Sequence, residues 1–137
     1  MKTAVITGAA SGIGACVKSR LEAEGFDIIG IDLKDATICA DLSTAAGRQK
    51  AIDDTLEKSN GKIDRLVLAA GLGGHVADGA LVAKVNYFGA VELLDGFKSA
   101  LEAAQGRCVL ISSNTAQLSV DPENPIILAL LEGDEEK

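Results

Sequence analysis

The sequence predicts an α/β fold with a doubly wound sheet of parallel strands. Four short apolar runs do not alternate with polar residues, which is typical of strands buried on both faces. Longer segments with helical spacing separate these runs, so strand and helix alternate along the chain, and we expect right-handed crossovers. The four runs are residues 4–6, 28–31, 66–69 and 108–111.

The first predicted helix covers residues 12–24. Within it, Ile13, Val17 and Leu21 recur at helical spacing. Gly25 follows directly, and a glycine at this position is a common C-terminal cap. We therefore expect this helix to connect the first two strands of the sheet.

A brief strand near 37–40 is expected to complete the first half of the sheet. A second helix is predicted over 44–58, with Ser43 or Thr44 as its N-cap. A third is predicted over 78–104. The apolar residues expected to face the sheet are Ala51, Ile52 and Leu56 in the second helix, and Leu81, Val85, Phe88, Leu94, Phe97 and Leu101 in the third.

Composition limits the size of the domain and its partners. The 137 residues fit one domain, and the net charge of −7 disfavours nucleic acids and anionic membrane surfaces as partners. The widely spaced Cys16, Cys39 and Cys108 form no C-x-x-C pair, which favours buried thiols in a reducing compartment. Because no segment resembles a membrane span or a signal peptide, we expect a cytoplasmic location.

A glycine-rich loop, Thr7-Gly8-Ala9-Ala10-Ser11-Gly12-Ile13-Gly14, joins the first predicted strand to the first helix. In that context the pattern predicts dinucleotide binding. Gly8 permits the sharp turn, Gly12 lets a pyrophosphate approach the backbone, and Gly14 lets the helix pack closely. The helix N-terminus would then face the phosphates. The alternative is a tight strand-to-helix turn without a ligand.

Asp32 at the end of the second strand supports the dinucleotide interpretation. It lies eighteen positions after Gly14, near the sequence spacing expected for an acid that accepts the ribose hydroxyls of adenosine. A carboxylate there repels a 2′-phosphate, so NAD is favoured over NADP, although the neighbouring Lys34 would weaken this preference. The alternative for Asp32 is a solvated loop acid.

Five segments resemble, in order, the motifs of the short-chain dehydrogenase/reductase family. The glycine loop has that family's T-G-x-x-x-G-I-G spacing. The others resemble the acid that contacts adenine, the end of the N-N-A-G motif, the helix motif with an active-site asparagine, and the fifth-strand end with a catalytic serine. They are Asp41-Leu42-Ser43, Ala70-Gly71, Val85-Asn86-Tyr87-Phe88-Gly89 and Ile111-Ser112-Ser113.

The resemblance implies a Rossmann-type sheet, here covering 1–137 as an incomplete domain that stops after the fifth strand and the start of an insertion. It is strongest to the bacterial 3α-hydroxysteroid dehydrogenase/carbonyl reductase subgroup, whose insertion after the catalytic serine looks like residues 121–137. That subgroup oxidises steroid 3α-alcohols and reduces ketones and aldehydes. The cofactor contacts implied are Gly8, Ser11, Gly12, Ile13, Gly14, Asp32, Leu33, Asp41, Leu42, Ala70 and Gly71.

In the family mechanism, Ser113 would hydrogen-bond the substrate oxygen and Asn86 would anchor a water in a proton relay. Their alternatives are a serine at a strand end and a polar residue at a helix irregularity. Leu68 and Ala69 replace the two asparagines of N-N-A-G, which removes their side-chain bonds between strands. The catalytic Tyr-x-x-x-Lys is absent: Tyr87 is followed four positions later by a valine.

Three functions follow as hypotheses. The first is an NAD-dependent oxidoreductase acting on a small secondary alcohol or ketone such as a 3α-hydroxysteroid. The second is a non-catalytic NAD-binding module, and the third is another nucleotide-dependent enzyme such as a methyltransferase.

We expect a homo-oligomer or a partner chain to cover the fifth-strand edge. No metal is predicted, because no cluster has ligand spacing, and the sole histidine, His75, is assigned no role.

Overall fold

In the computed structural model, which describes residues 1–114 and 121–136, five parallel strands form one sheet. The spatial order is third, second, first, fourth, fifth, so the chain winds outward in one direction and then in the other. This confirms the predicted doubly wound α/β fold, including the brief third strand. The strands are β1 (Thr3–Thr7), β2 (Asp27–Asp32), β3 (Ile38–Cys39), β4 (Arg65–Leu68) and β5 (Arg107–Leu110).

The helices connect these strands. They are α1 (Gly12–Ala23), α2 (Ala45–Lys58), α3 (Gly79–Ala83), α4 (Gly89–Ala104) and α5 (Pro125–Glu132), with a π-helical turn at Lys84–Phe88 between α3 and α4. Both predicted caps are present. Gly25 has φ +86° after α1, and the Thr44 hydroxyl accepts a hydrogen bond from the Gly47 N–H at 3.0 Å.

Neighbouring residues of the central strands point to opposite faces of the sheet. Val5 and Leu66 belong to the larger core, which also contains Phe97 of α4 and Ala51 of α2. Ile6 and Val67 belong to a smaller core, against which α1 packs. Both faces of β1 and β4 are therefore buried, which explains why their sequences are apolar without alternation.

The long third helix was wrongly predicted as one continuous helix. The π-helical turn interrupts it, and a turn with i→i+5 hydrogen bonds shifts the residues that follow around the helix axis. As a result Leu93 is fully buried, whereas Leu94, which the pattern placed in the core, is 37% exposed. Phe88 and Phe97 are buried as expected.

The three cysteines were predicted to be buried, and this is also wrong. Cys39 and Cys108 lie on β3 and β5, the two edge strands of the sheet, and Cys16 lies on α1; all three are exposed. All of β5 is exposed as well, although its apolar run predicted burial on both faces. Among the described residues, no helix is both long enough and apolar enough to cross a membrane.

Candidate functional site

A cavity of about 530 Å³ opens at the carboxyl ends of β1, β2 and β4. This size is typical of small-molecule sites, and the position corresponds to the point where the strand order reverses. The structure brings together at this cavity all the residues that the resemblance implied as cofactor contacts. These are Gly8, Ser11, Gly12, Ile13, Gly14, Asp32, Leu33, Asp41, Leu42, Ala70 and Gly71.

The three loop glycines occupy different environments. At Gly8, φ is +70° and an added Cβ would lie 3.0 Å from the Cα of Ala70. At Gly14, an added Cβ would lie 2.0 Å from the Gly8 carbonyl oxygen, so any side chain would force α1 away from the loop. At Gly12, φ is +55° but an added Cβ would meet no atom within 4 Å. Gly8 and Gly14 are therefore required by packing, whereas the space beside Gly12 faces the cavity.

The N-terminus of α1 presents unpaired backbone donors to this space. The Ser11 side chain makes no capping hydrogen bond. The first intrahelical bond runs from the Ala15 N–H to the Ser11 carbonyl at 3.1 Å, so the N–H groups of residues 12–14 precede the helical ladder. These donors and the positive end of the helix dipole suit a phosphate group.

Asp32 ties the glycine loop to the end of β2. Its Oδ2 accepts from the Ala10 N–H at 3.0 Å, and its Oδ1 accepts from the Leu33 N–H at 2.8 Å. A carboxylate has about four acceptor positions, so each oxygen retains one for a ligand hydroxyl. Within the described residues, Lys34 forms no salt bridge with this carboxylate.

Asp41 is a second acid at the cavity, and Ser43 stabilises its ionised form. The Ser43 hydroxyl donates to its Oδ1 at 2.6 Å and the Ser43 N–H donates to the same atom at 2.9 Å. These bonds, the hydroxyl first, keep the pKa of Asp41 below its ordinary value. The Asp41 carbonyl also accepts from the Thr44 hydroxyl at 3.1 Å. A side chain at Gly47 would collide with that carbonyl, since its Cβ would lie 1.9 Å away.

The wall formed by residues 69–72 is fixed by two side chains. The buried Thr7 hydroxyl accepts from the N–H groups of Ala69 and Ala70, each at 3.0 Å. Asn86 accepts from the Leu72 N–H at 2.7 Å and donates to the Leu72 carbonyl at 3.0 Å. Although both asparagines of N-N-A-G are absent, Thr7 therefore still supplies a side-chain bond between β1 and the segment after β4. Sequence reasoning missed this role, because Thr7 looked like part of the glycine loop.

The two predicted catalytic residues lie outside the lining of the cavity. Asn86 is in the π-helical turn and binds Leu72, so it satisfies backbone groups at a helix irregularity, as its alternative interpretation stated. Ser113 is exposed and follows β5, whose pairing with β4 is extended by the Ile111 N–H to the Leu68 carbonyl at 3.1 Å. Their catalytic roles stay predictions.

No group of three or more candidate metal ligands occurs in the part of the chain that the structure describes.

The comparisons with known proteins agree with this fold and site. The family model for short chain dehydrogenases matches residues 2–123. The chain therefore belongs to the short-chain dehydrogenase family, as the five motifs predicted. It is 50% identical to the 3-alpha-hydroxysteroid dehydrogenase/carbonyl reductase of Comamonas testosteroni over 100% of this chain and 54% of that protein. It is 40% identical to a coniferyl-alcohol dehydrogenase of a Pseudomonas species over 82% of this chain and 44% of that protein.

The solved structures include a 3-alpha-hydroxysteroid dehydrogenase from Pseudomonas sp. B-0831 complexed with NADH. It superposes with a TM-score of 0.94 at 44% identity, covering 98% of this chain and 53% of that one. The present chain thus spans about half the length of these relatives. The resemblance to the hydroxysteroid dehydrogenase subgroup is confirmed at the level of sequence and fold.

Proposed function

We propose that this chain binds NAD(H) in the cavity at the carboxyl ends of the strands and belongs to an oxidoreductase acting on a secondary alcohol or ketone. The observation that carries the proposal is the Asp32 carboxylate at the mouth of the glycine loop, with acceptor positions to spare. A related structure with the same fold contains NADH. The methyltransferase alternative is set aside because the chain belongs to the short-chain dehydrogenase family.

The residues of the cavity fit a dinucleotide. The unpaired N–H groups at the start of α1 and the open space beside Gly12 would receive the pyrophosphate. Asp32 would accept hydrogen bonds from the adenosine ribose, and Asp41 with Leu42 would border the adenine. Ala70, held by Thr7, and the neighbouring Gly71 would contact the cofactor through their backbone. When bound, the nicotinamide would supply hydride transfer, while these residues bind and orient it.

Ser113 and Asn86 are proposed as catalytic-site residues for the substrate side. Ser113 lies at the same edge of the sheet as the cavity, because β5 runs parallel to β4, and its hydroxyl would hydrogen-bond the substrate oxygen. Asn86 would hold a water for proton relay. A 3α-hydroxysteroid is the proposed substrate, supported by the relatives from Comamonas testosteroni and Pseudomonas.

A non-catalytic NAD-binding module is the second candidate. These 137 residues hold a single tyrosine, which is followed four positions later by Val91 instead of a lysine. Loss of a general acid alone costs about 10²–10⁴-fold in rate. We therefore expect little turnover of a 3α-hydroxysteroid by a polypeptide of these 137 residues, and turnover near that of a full-length relative would exclude this candidate.

Two further proposals concern what covers the β5 edge and where in the cell the protein lies. We propose that a second copy or a partner segment covers the exposed edge at β5, because three consecutive apolar residues there are accessible: Val109, Leu110 and Ile111. We also propose a cytoplasmic location, supported by three cysteines that carry free thiols. Fractionation of cells that express the protein tests the location.

Cofactor choice tests the proposed function directly. NADH should bind more tightly than NADPH, because Asp32 accepts ribose hydroxyls and repels a 2′-phosphate. Asp32→Ala should weaken NADH binding roughly 10- to 100-fold, since hydrogen bonds to a charged group contribute about 1.5–3 kcal/mol, and should affect NADPH less. Fluorescence titration measures both affinities.

The matched control is Asp35→Asn, which removes an equal charge three residues away. Asp35 has φ +54°, a conformation that asparagine tolerates. This variant should keep the NADH affinity of the parent chain. Tighter binding of NADPH than of NADH by the unaltered chain would refute the assignment of the cofactor.

A further inference from the structure

Arg48 of α2 is a buried cation next to the cavity. Of the residues that the structure describes, it has the largest side chain that is fully buried, with 0% exposure. Burial of a guanidinium is unfavourable unless its N–H groups are hydrogen-bonded and its charge is balanced. Its surroundings therefore have to supply acceptors, and these identify the segments that Arg48 holds together.

Three acceptors surround Arg48, and each belongs to a different segment. The Nε donates to Glu92 of α4 at 2.6 Å, and one Nη donates to Glu135 at 2.6 Å. The other Nη donates to the Leu42 carbonyl at 3.0 Å. The guanidinium carbon also lies 6.0 Å from the centre of the Phe88 ring, at the end of the π-helical turn. A planar guanidinium can bind in three directions at once, which a lysine ammonium on a flexible stem does not reproduce.

The Leu42 carbonyl connects this cluster to the cavity. Leu42 lines the cavity beside Asp41 and is only 6% exposed. An added Cβ on Gly89 would lie 3.5 Å from the Cβ of Leu42, so the start of α4 packs directly on this residue. Arg48 does not itself line the cavity, so its hydrogen bond fixes the Leu42 backbone of the cavity wall from within the core.

Glu135 connects the same cluster to the segment after α5. Its side chain is 23% exposed, and it is separated from Arg48 by 87 positions in the sequence. Burial alone would lower the pKa of Arg48, but the hydrogen bonds to Glu92 and Glu135 raise it above its ordinary value. The cation thus stays charged, and both carboxylates contribute to its stability in the interior.

We propose that Arg48 is a positioning residue for the Asp41–Leu42 wall of the cavity, and that Glu135 makes cofactor affinity depend on the packing of residues 125–136. This rests on the proposed function, because the ligand at the wall is taken to be the adenine half of NAD(H). Coupling between two sites is reciprocal. A ligand at the wall therefore stabilises the segment that contains Glu135, and that segment strengthens binding of the ligand.

Binding of ADP-ribose, which is NAD without the nicotinamide base and so keeps the adenine half, tests the inference. In Arg48→Met, a substitution of similar length without charge, affinity for ADP-ribose and NADH should fall about fivefold or more, the range typical of coupled sites. Glu135→Gln should lower both affinities in the same direction. Arg48→Lys should recover more of the folding stability lost in Arg48→Met than of the lost affinity for ADP-ribose and NADH. Circular dichroism shows which variants are folded and sets the temperature at which these are compared.

Hydrogen exchange of the ligand-free chain is the second measurement. Amides of residues 40–44 should exchange faster in Arg48→Met and in Glu135→Gln, and ADP-ribose should slow exchange in residues 130–136 of the unaltered chain. The control is Lys50→Met, on the same helix, which removes only the exposed pair of Lys50 with Asp54. It should change neither affinity nor exchange at 40–44.

The outcomes separate this inference from the proposed function. Unchanged affinity and unchanged exchange in folded Arg48→Met would overturn the inference, as would an equal effect of Lys50→Met. If Arg48→Met does not fold, Glu135→Gln gives the decision by the same two measurements. If the unaltered chain binds neither NADH nor ADP-ribose, the proposed function fails, whereas exchange at 40–44 still decides whether Arg48 holds the wall.

Discussion

The two carboxylates at the cavity, Asp32 and Asp41, are each oriented by neighbouring hydrogen-bond donors. Asp32 receives backbone N–H groups from the glycine loop and from its own neighbour. Asp41 receives the hydroxyl and the N–H of Ser43. Both acids are therefore oriented before any ligand binds, and the entropy needed to position them has already been spent in folding.

Removal of the Ser43 hydroxyl should raise the pKa of Asp41. In Ser43→Ala the N–H bond remains, so the pKa moves toward the ordinary aspartate value of about 3.9 without reaching it. Because the folded-state pKa is lowered, the stabilisation is present above the ordinary value and is lost as pH falls through the folded value. In Ser43→Ala this stabilisation is smaller. Carboxyl carbon NMR titration of Asp41 measures the shift.

The control for this prediction is Ser19→Ala, on the exposed side of α1. It removes an equivalent hydroxyl far from Asp41 in the sequence and should leave the Asp41 titration unchanged. An unaltered pKa of Asp41 in Ser43→Ala would show that the hydroxyl does not stabilise the carboxylate in solution.

At the residue scale, sequence predicted the ligand-facing side chains better than their supports. Gly8, Gly12 and Asp32 follow from local spacing between a strand and a helix. Thr7 and Arg48 do not follow from local spacing. Thr7 binds Ala69, which is 62 positions away, and Arg48 binds Glu135, which is 87 positions away. Such contacts depend on the assembled sheet, so no short pattern encodes them.

At the scale of elements, β1, the glycine loop and α1 form one unit that faces the cavity. The Gly8 N–H donates to the Ile31 carbonyl at 2.9 Å, which joins the loop to β2. Gly14 lies against the Gly8 carbonyl. Of the three loop glycines, only Gly12 has open space beside its Cα, and its backbone is accessible to a ligand there.

Gly12→Val should abolish NADH binding while the sheet remains folded. The added side chain would occupy the space proposed for the pyrophosphate. Its positive φ adds strain, because a β-branched residue rarely adopts this conformation. Isothermal titration with NADH and far-UV circular dichroism measure the two effects.

Gly74→Val is the matched control for Gly12→Val. An added Cβ there also meets no atom within 4 Å, but no positive φ is required and the residue does not line the cavity. NADH binding should survive this substitution. If a folded Gly12→Val chain bound NADH as tightly as the Gly74→Val control, the loop would be only a tight turn.

Element boundaries followed closely from caps and apolar runs, but the π-helical turn did not. The predicted helix at 44–58 matches α2, because Thr44 is a good N-cap and the apolar spacing is regular. The segment 78–104 has regular apolar spacing on each side of the turn, so the apolar pattern alone did not locate the turn. In the π-helical turn, Asn86 accepts a hydrogen bond from the Leu72 N–H. A local apolar pattern does not indicate such a tertiary contact.

At the scale of the whole molecule, the two ends of the sheet differ. The edge at β3 is a strand of two residues, and short edge strands resist pairing with other chains. The edge at β5 is longer and is followed by the exposed Ile111. The parallel sheet was predicted from the apolar runs and their alternation with helices. Exposure of β5 was not, because a run of apolar residues does not indicate whether another segment covers it.

The 137-residue chain should self-associate through the β5 edge, which presents unpaired backbone groups and accessible apolar side chains. Val109→Lys should shift the population toward monomer, because Val109 is 54% exposed and a charge on an edge strand opposes pairing. Sedimentation velocity over a range of concentrations measures the distribution. Val91→Lys makes the same change on α4, where Val91 is 40% exposed, and should leave the association intact. A monomeric parent chain at all concentrations, or equal dissociation by both variants, would show that the β5 edge is not the interface.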